Sequence, residues 1–346
     1  NYYPLYTVKY TNLTPIYSRE VSNAPIYFQA IGASSNMALV AYYLLNSTTE
    51  LASYNPLTNN LKPVYNFGNN TYINKIVYTG NYFLILVLIL GQKYNTTTTL
   101  QELWVYNSSG IHQLTLPSGF PYIWDMLTIN SSLFITSGNT VYQYSLPGLS
   151  PIRNMSIYVT VQTTSSSTSS VTSSATSSIT SLTNQTLPFL IYTISSNSKD
   201  LLFLGGTVYY DNSSSYMYGT INLTSWKFSS LNPTPKFING SFDAIWHSLY
   251  FNGSFYLLGF RQNNKYAFES TAFLSYNPST GIINNFSSEL PPSFPPANIL
   301  GFKNQVGIIL DEGYLFLAYN PITGAFENYT YLLPEFVSGW IATAES

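Results

Sequence analysis

The chain has 346 residues, with 12 Lys plus Arg against 14 Asp plus Glu, and only 8% of its residues are charged; ordinary soluble domains carry about 25%. The few basic residues are scattered, which excludes a nucleic-acid face. The absence of cysteine excludes disulfides, thiolate chemistry and cysteine-ligated metals.

Apolar residues make up 45% of the chain, with 32 Tyr and 21 Phe, a composition that fills a core and favours strands. No segment sustains a helical apolar period with caps, so an all-β protein is expected. A fold with so few ions depends little on salt bridges and loses little when acid protonates its carboxylates. An exterior, acid-tolerant location follows as an expectation. Residue 1 is Asn rather than Met, which predicts a chain that starts after processing.

In chain order, "NYYPLYTVKY" reads as a strand ending at Tyr10. "ELASYNPLTNNLKPV" (50–64) is a strand, an Asn-Pro turn after Tyr54, and a second strand. "YFLILVLIL" (82–90) is too short for a bilayer, which needs about 20 residues; it reads as a buried strand, and no transmembrane segment is expected. "WVYNSSGIHQL" and "VYQYSLPGLSPI" place Tyr106 and Tyr144 at the same kind of turn. Residues 163–183, "TTSSSTSSVTSSATSSITSLT", form a low-complexity Ser/Thr insertion that buries too little apolar surface to order by itself. Its four-residue beat of Val171, Ala175 and Ile179 falls on one face of an extended strand. Ile221, Tyr276 and Tyr319 then repeat the turn position, the last two 43 residues apart.

Each unit holds four short strands, the repeat of a β-propeller blade. Seven turn words predict seven blades, with six as the alternative count. The whole of 1–346 is then one propeller domain, closed by pairing N-terminal strands with the C-terminal strand in "PEFVSGWIATAES".

The chain carries 14 Asn-x-Ser/Thr sequons, at Asn12, Asn46, Asn69, Asn95, Asn107, Asn130, Asn154, Asn184, Asn212, Asn222, Asn239, Asn252, Asn285 and Asn328. Composition alone generates some of them, but most sit beside turn residues, where N-linked glycan is accepted.

The words "YNPSTG" and "YNPITG" resemble the third-to-fourth-strand turn of kelch-like propellers, although the paired glycines of kelch repeats are missing. The Tyr/Asn/Ser/Thr style with a Ser/Thr tract resembles secreted surface glycoproteins of Sulfolobus-type thermoacidophilic archaea. That resemblance implies an extracellular structural or adhesion protein, a filament or surface-layer component included. Its partners are copies of itself or other surface proteins.

Catalytic signals are sparse. His112 and His247 have no companion ligand and read as turn or core residues, and no cofactor is implied. Asp125 and Asp243 stand on expected innermost strands beside Trp124 and Trp246. Two carboxylates with aromatic platforms suit a glycosidase or a sugar receptor in the channel. The alternative, and the preferred one, is that each Asp satisfies backbone amides there; the protein is read as no enzyme.

Overall fold

The computed structural model describes residues 5–8, 15–19, 25–55, 57–58, 60–93, 96–167, 179–265, 267–292, 294–302, 304–310 and 315–330. Among them there is no α-helix, and no helix long and apolar enough to cross a membrane. Six antiparallel sheets follow one another along the chain, each built strand next to strand, and they form a six-bladed β-propeller. Six is the alternative count of the sequence reading. The strands Leu5–Val8 and Pro15–Arg19 pair with each other as a separate two-stranded sheet. Tyr10, Trp340 and the proposed closing strand lie outside the described residues.

The innermost strands, one per blade, are Pro25–Ala33, Thr71–Tyr78, Asp125–Ile129, the second half of Ile179–Ser196, Phe242–Phe251 and Pro296–Phe302. The second strands are the most apolar because neighbouring blades cover both of their faces. "YFLILVLIL" supplies one of them: Leu84, Ile85, Leu86 and Val87 are completely buried, alternating between the layer against blade one and the layer against blade three. Each such side chain contributes about 1.5–3 kcal/mol by leaving water. Comparable layers join blades three and four, four and five, and five and six.

The repeated turn word has one structural role. Tyr54, Tyr106, Tyr144, Ile221, Tyr276 and Tyr319 all lie at the end of a third strand. In four units the Asn that follows the Tyr folds the corner with its own side chain, as Asn222 does after Ile221. Of the four, Asn107 holds one amide and the other three hold two each. Asn55 Oδ1 accepts the amides of Leu57 and Thr58 at 2.9 and 3.2 Å, Asn277 Oδ1 those of Ser279 and Thr280 at 2.9 and 3.2 Å, and Asn320 Oδ1 those of Ile322 and Thr323 at 2.9 and 3.3 Å. These are Asx turns. Gly281 and Gly324 close them at φ 72°. In blade four the same left-handed place is held by Trp226 at φ 51°. Its ring lies 4.0 Å under the Arg153 guanidinium of blade three, and this cation–π contact offsets the cost of the unusual backbone.

Blade four departs from the pattern at the Ser/Thr tract. Strand Tyr158–Ser167 pairs with the first half of Ile179–Ser196, from Tyr158 opposite Pro188 to Ser167 opposite Ile179. The second half then becomes the innermost strand and pairs with Leu201–Tyr210. The described ends of the tract, 163–167 and 179–183, thus pair with each other in a β-hairpin, and residues 168–178 lie outside the described residues. At its base Val159, Val161 and Leu187 join the apolar layer of blades three and four, which fixes the hairpin to the ring.

Gly206 on the second strand of blade four tests the close approach of the two strands, because a Cβ there would lie 1.8 Å from the Leu190 carbonyl oxygen. Gly206→Ala is expected to destabilise by about 3 kcal/mol, read from urea melts. Gly253→Ala, in an open turn at φ +85°, is expected to lose only about 1–2 kcal/mol.

Candidate functional site

A cavity of about 1220 Å³ runs along the centre and is lined by all six innermost strands. A shared backbone irregularity shapes its mouth. Five of these strands carry a β-bulge, where one residue is extra to the ladder: Gln29, Asn74, Tyr192, Trp246 and Ala297. Blade three does the equivalent at Trp124. Its N–H donates to the Thr136 carbonyl at 2.8 Å, and the next N–H, of Asp125, donates to Thr136 Oγ1 at 3.1 Å, so two residues face one. Bulges re-aim side chains, and here they produce two tiers. The bulged residues form the first. The residues after them form the second: Ala30, Lys75, Asp125, Thr193, His247 and Asn298.

The tiers are unlike. On one arc of the first tier Trp124 stacks on Tyr192 with centroids 5.5 Å apart and planes at 21°, and Tyr192 meets Trp246 at 5.5 Å and 31°. Phe260 continues the row at 5.5 Å from Trp246. Trp124 and Trp246 remain 36% and 46% exposed, a large apolar surface left facing the channel. Tyr192 donates to or accepts from the Tyr209 hydroxyl at 3.5 Å, and burial pushes its phenol well above the ordinary range.

The second tier is polar, and Asp125 is its centre. Its Oδ1 accepts from Lys75 Nζ of blade two and from the Met126 N–H at 2.9 Å, while Oδ2 accepts the Ile194 N–H of blade four at 2.9 Å. One carboxylate thereby ties three blades. His247 of blade five faces the same pair across the channel. Its removal from water holds the imidazole down to about 4, against the attraction of Asp125 and with the repulsion of Lys75. The ring is neutral above that pH.

Asp243 is elsewhere. Its carboxylate is 1% exposed, is absent from the channel lining, and is gripped by Arg261, whose Nε donates at 2.9 and 3.0 Å and whose Nη2 donates at 2.6 Å. Burial pushes this carboxyl above the ordinary range, and Arg261 opposes that rise. The structure therefore does not bring Asp125 and Asp243 together as an acid–nucleophile pair. Trp124, Asp125 and Trp246 share the channel; Asp243 does not. The bulge supplies the reason, since it puts Trp246 opposite Trp124, which makes His247 and not Asp243 the counterpart of Asp125. His112 lies on the outer strand Gly110–Gln113 of blade two, exposed and away from the channel. The signal for the tiers was present in sequence as "INKI", "IWDM", "IYTI" and "IWHS": a buried Ile, the bulged residue, the second-tier residue and the strand beyond.

The sequons occupy the surface. Asn46, Asn69, Asn130, Asn154, Asn184, Asn212, Asn239, Asn252, Asn285 and Asn328 are exposed, and Asn107 and Asn222 are half-buried. Asn12 and Asn95 lie outside the described residues. At Asn46, Asn107, Asn222, Asn285 and Asn328 the side-chain oxygen accepts the amide two residues on, at 2.8–3.2 Å. That leaves the amide nitrogen, the atom to which glycan attaches, turned away from the chain's own hydrogen bonds.

No family model matches the chain, and no curated protein matches it. Solved structures do. The chain is similar to a chain of a mitotic checkpoint complex, at 9% identity over 95% of this chain and 90% of that one, with a TM-score of 0.53. It is also similar to a puromycin hydrolase, at 6% identity, covering 88% of this chain and 45% of that one, with a TM-score of 0.51. At these identities the likeness shows the propeller fold and carries no activity with it.

Two outcomes test the polar tier. Asp125→Asn weakens the Lys75 bond and one amide bond together, so a loss of about 2 kcal/mol is expected in denaturant melts. For His247 the unfolded chain takes up its proton near 6.5 and the folded chain only near 4. The unfolded state binds more protons between those values, so this group's contribution is intact above 6.5 and is lost as pH falls towards 4. His247→Asn is expected to flatten the pH dependence of stability in that window, measured by melts at half-unit steps.

Proposed function

We propose that the protein is an extracellular glycosylated structural or adhesion component of an archaeal cell surface, built into a filament or surface layer with copies of itself or other surface proteins. The observation that carries this reading is that every described sequon reaches the surface, ten of them exposed and none buried. Sequons on the corners and outer strands of all six blades distribute sugar around the whole ring. Glycan hydration there replaces the hydration that charged side chains provide on other proteins.

Assembly has a physical route. Strand Tyr158–Ser167 is the edge of a five-stranded sheet, and an unpaired edge on a hairpin anchored to the ring accepts a strand from another chain. The reading is of a protein without enzyme activity. Asp125 and Asp243 are each spent on bonds that hold the propeller, which favours binding over hydrolysis.

The test uses native material. Glycopeptide mass spectrometry is expected to find hexose-containing adducts on several of the exposed sequons, Asn46, Asn130 and Asn252 among them, and protease shaving of intact cells is expected to release the protein. A native mass equal to that of the bare polypeptide would overturn the reading. Sedimentation over a concentration series is expected to show assembly beyond the monomer.

A further inference from the structure

We infer that the aromatic mouth of the channel is a binding site for a neutral saccharide. The proposal stands on the channel geometry and is independent of where the protein resides or what coats it.

Five strands bulge at the same place, and three successive blades use the irregularity to present Trp124, Tyr192 and Trp246 as one row. Such rings are ordinarily buried in a core; here two of them keep more than a third of their surface open to the channel. The opposite arc is polar or small, with Asn74 and Ala297 in the bulged places. A ligand that spans the mouth meets exposed aromatic carbon on one side and hydrogen-bonding groups on the other. A pyranose has that division, with C–H groups on its faces and hydroxyls around its rim.

Charge narrows the class. Lys75 and Asp125 neutralise each other, and His247 carries no charge above about pH 4. Among the described residues, the channel therefore holds no free charge to match an acidic or a cationic ligand. What it does hold is neutral hydrogen-bonding capacity. Asn74, Gln262 and His247 all line the cavity, and none of their side chains hydrogen-bonds to another described residue. An amide offers two donors and an acceptor, and a neutral imidazole one of each, the set that sugar hydroxyls need. The rings are also stacked on one another and do not surround a point, so they do not form the cage that a quaternary ammonium requires.

The experiment is a glycan array carrying neutral, sialylated and sulfated oligosaccharides, probed with the whole chain, followed by titration calorimetry with the best-bound neutral oligosaccharide. Binding to neutral glycans is expected, weakened at least about tenfold by Trp246→Ala and also by Asn74→Ala, an exposed position whose replacement leaves the fold undisturbed. Trp226→Phe, outside the channel, is expected to bind as the parent does, and a melt of each variant verifies folding. Binding confined to sialylated or sulfated glycans, no neutral glycan bound at millimolar concentration, or affinity unchanged in both Trp246→Ala and Asn74→Ala would each overturn the assignment.

Discussion

Every blade of this protein is a sheet with two apolar faces, and that constraint governs the rest. A sheet of this kind cannot leave either face in water, so each must be sandwiched between two others. Going round a ring does this for successive blades, and among the described residues apolar layers join blade one to two and onward to six. It also explains the composition. Sheets covered on both sides read as continuous apolar runs, as in "YFLILVLIL", and polar residues are pushed to corners, outer strands and the central channel. A chain with 8% charged residues can fold in this way because so little of each blade needs to face water except at its edges.

The same constraint concentrates polarity where the innermost strands meet. Those strands are the only ones whose side chains converge from all blades, and their bulges set which side chains converge. Asp125 shows the consequence. It receives a lysine from one neighbouring blade and a backbone amide from the other, so one side chain does in the centre what the apolar layers do further out. A half-buried carboxylate with three donors is well satisfied, and it serves as a brace between blades.

Much of the architecture was legible in the sequence, and the reason is local. A corner built from Asn, Pro and Gly is specified by a few adjacent residues, so Tyr54, Tyr106, Tyr144, Ile221, Tyr276 and Tyr319 marked the ends of third strands without any knowledge of packing. The site was only half legible. Trp124, Asp125 and Trp246 were singled out and do line the channel, but Asp243 was matched to Asp125 by its nearness to a tryptophan. A bulge is a property of pairing between strands, and one extra residue moves every later side chain to the other face. The residues that the match missed, Lys75, Tyr192, Thr193 and His247, become visible only when "INKI", "IWDM", "IYTI" and "IWHS" are superposed. Ser/Thr composition likewise concealed a hairpin, because pairing with a partner strand, and not intrinsic propensity, orders 158–167 and 179–188.

The few ions also decide how acid acts on this fold. Among the described residues there are two ion pairs: Lys75–Asp125 on the channel wall and Arg261–Asp243, whose carboxylate is buried. The described surface is mostly amides, hydroxyls and phenols, with only a few exposed carboxylates such as Asp200, Asp211 and Glu327. Two groups whose protonation burial does shift respond with opposite signs. Burial raises the carboxyl of Asp243, so in the window just above the ordinary carboxylate range the folded state holds its proton more firmly than the unfolded state, and acid there favours folding. Burial lowers His247, so acid there opposes folding. A protein with many surface carboxylate pairs loses stability by small steps all over its exterior as they protonate. Here burial shifts one interior carboxyl and one imidazole in opposite senses, and the imidazole, His247, lies in the channel itself. At the binding site inferred above, a neutral ligand hydrogen-bonded to the uncharged His247 ring opposes its protonation and lowers the pH at which this group begins to cost stability.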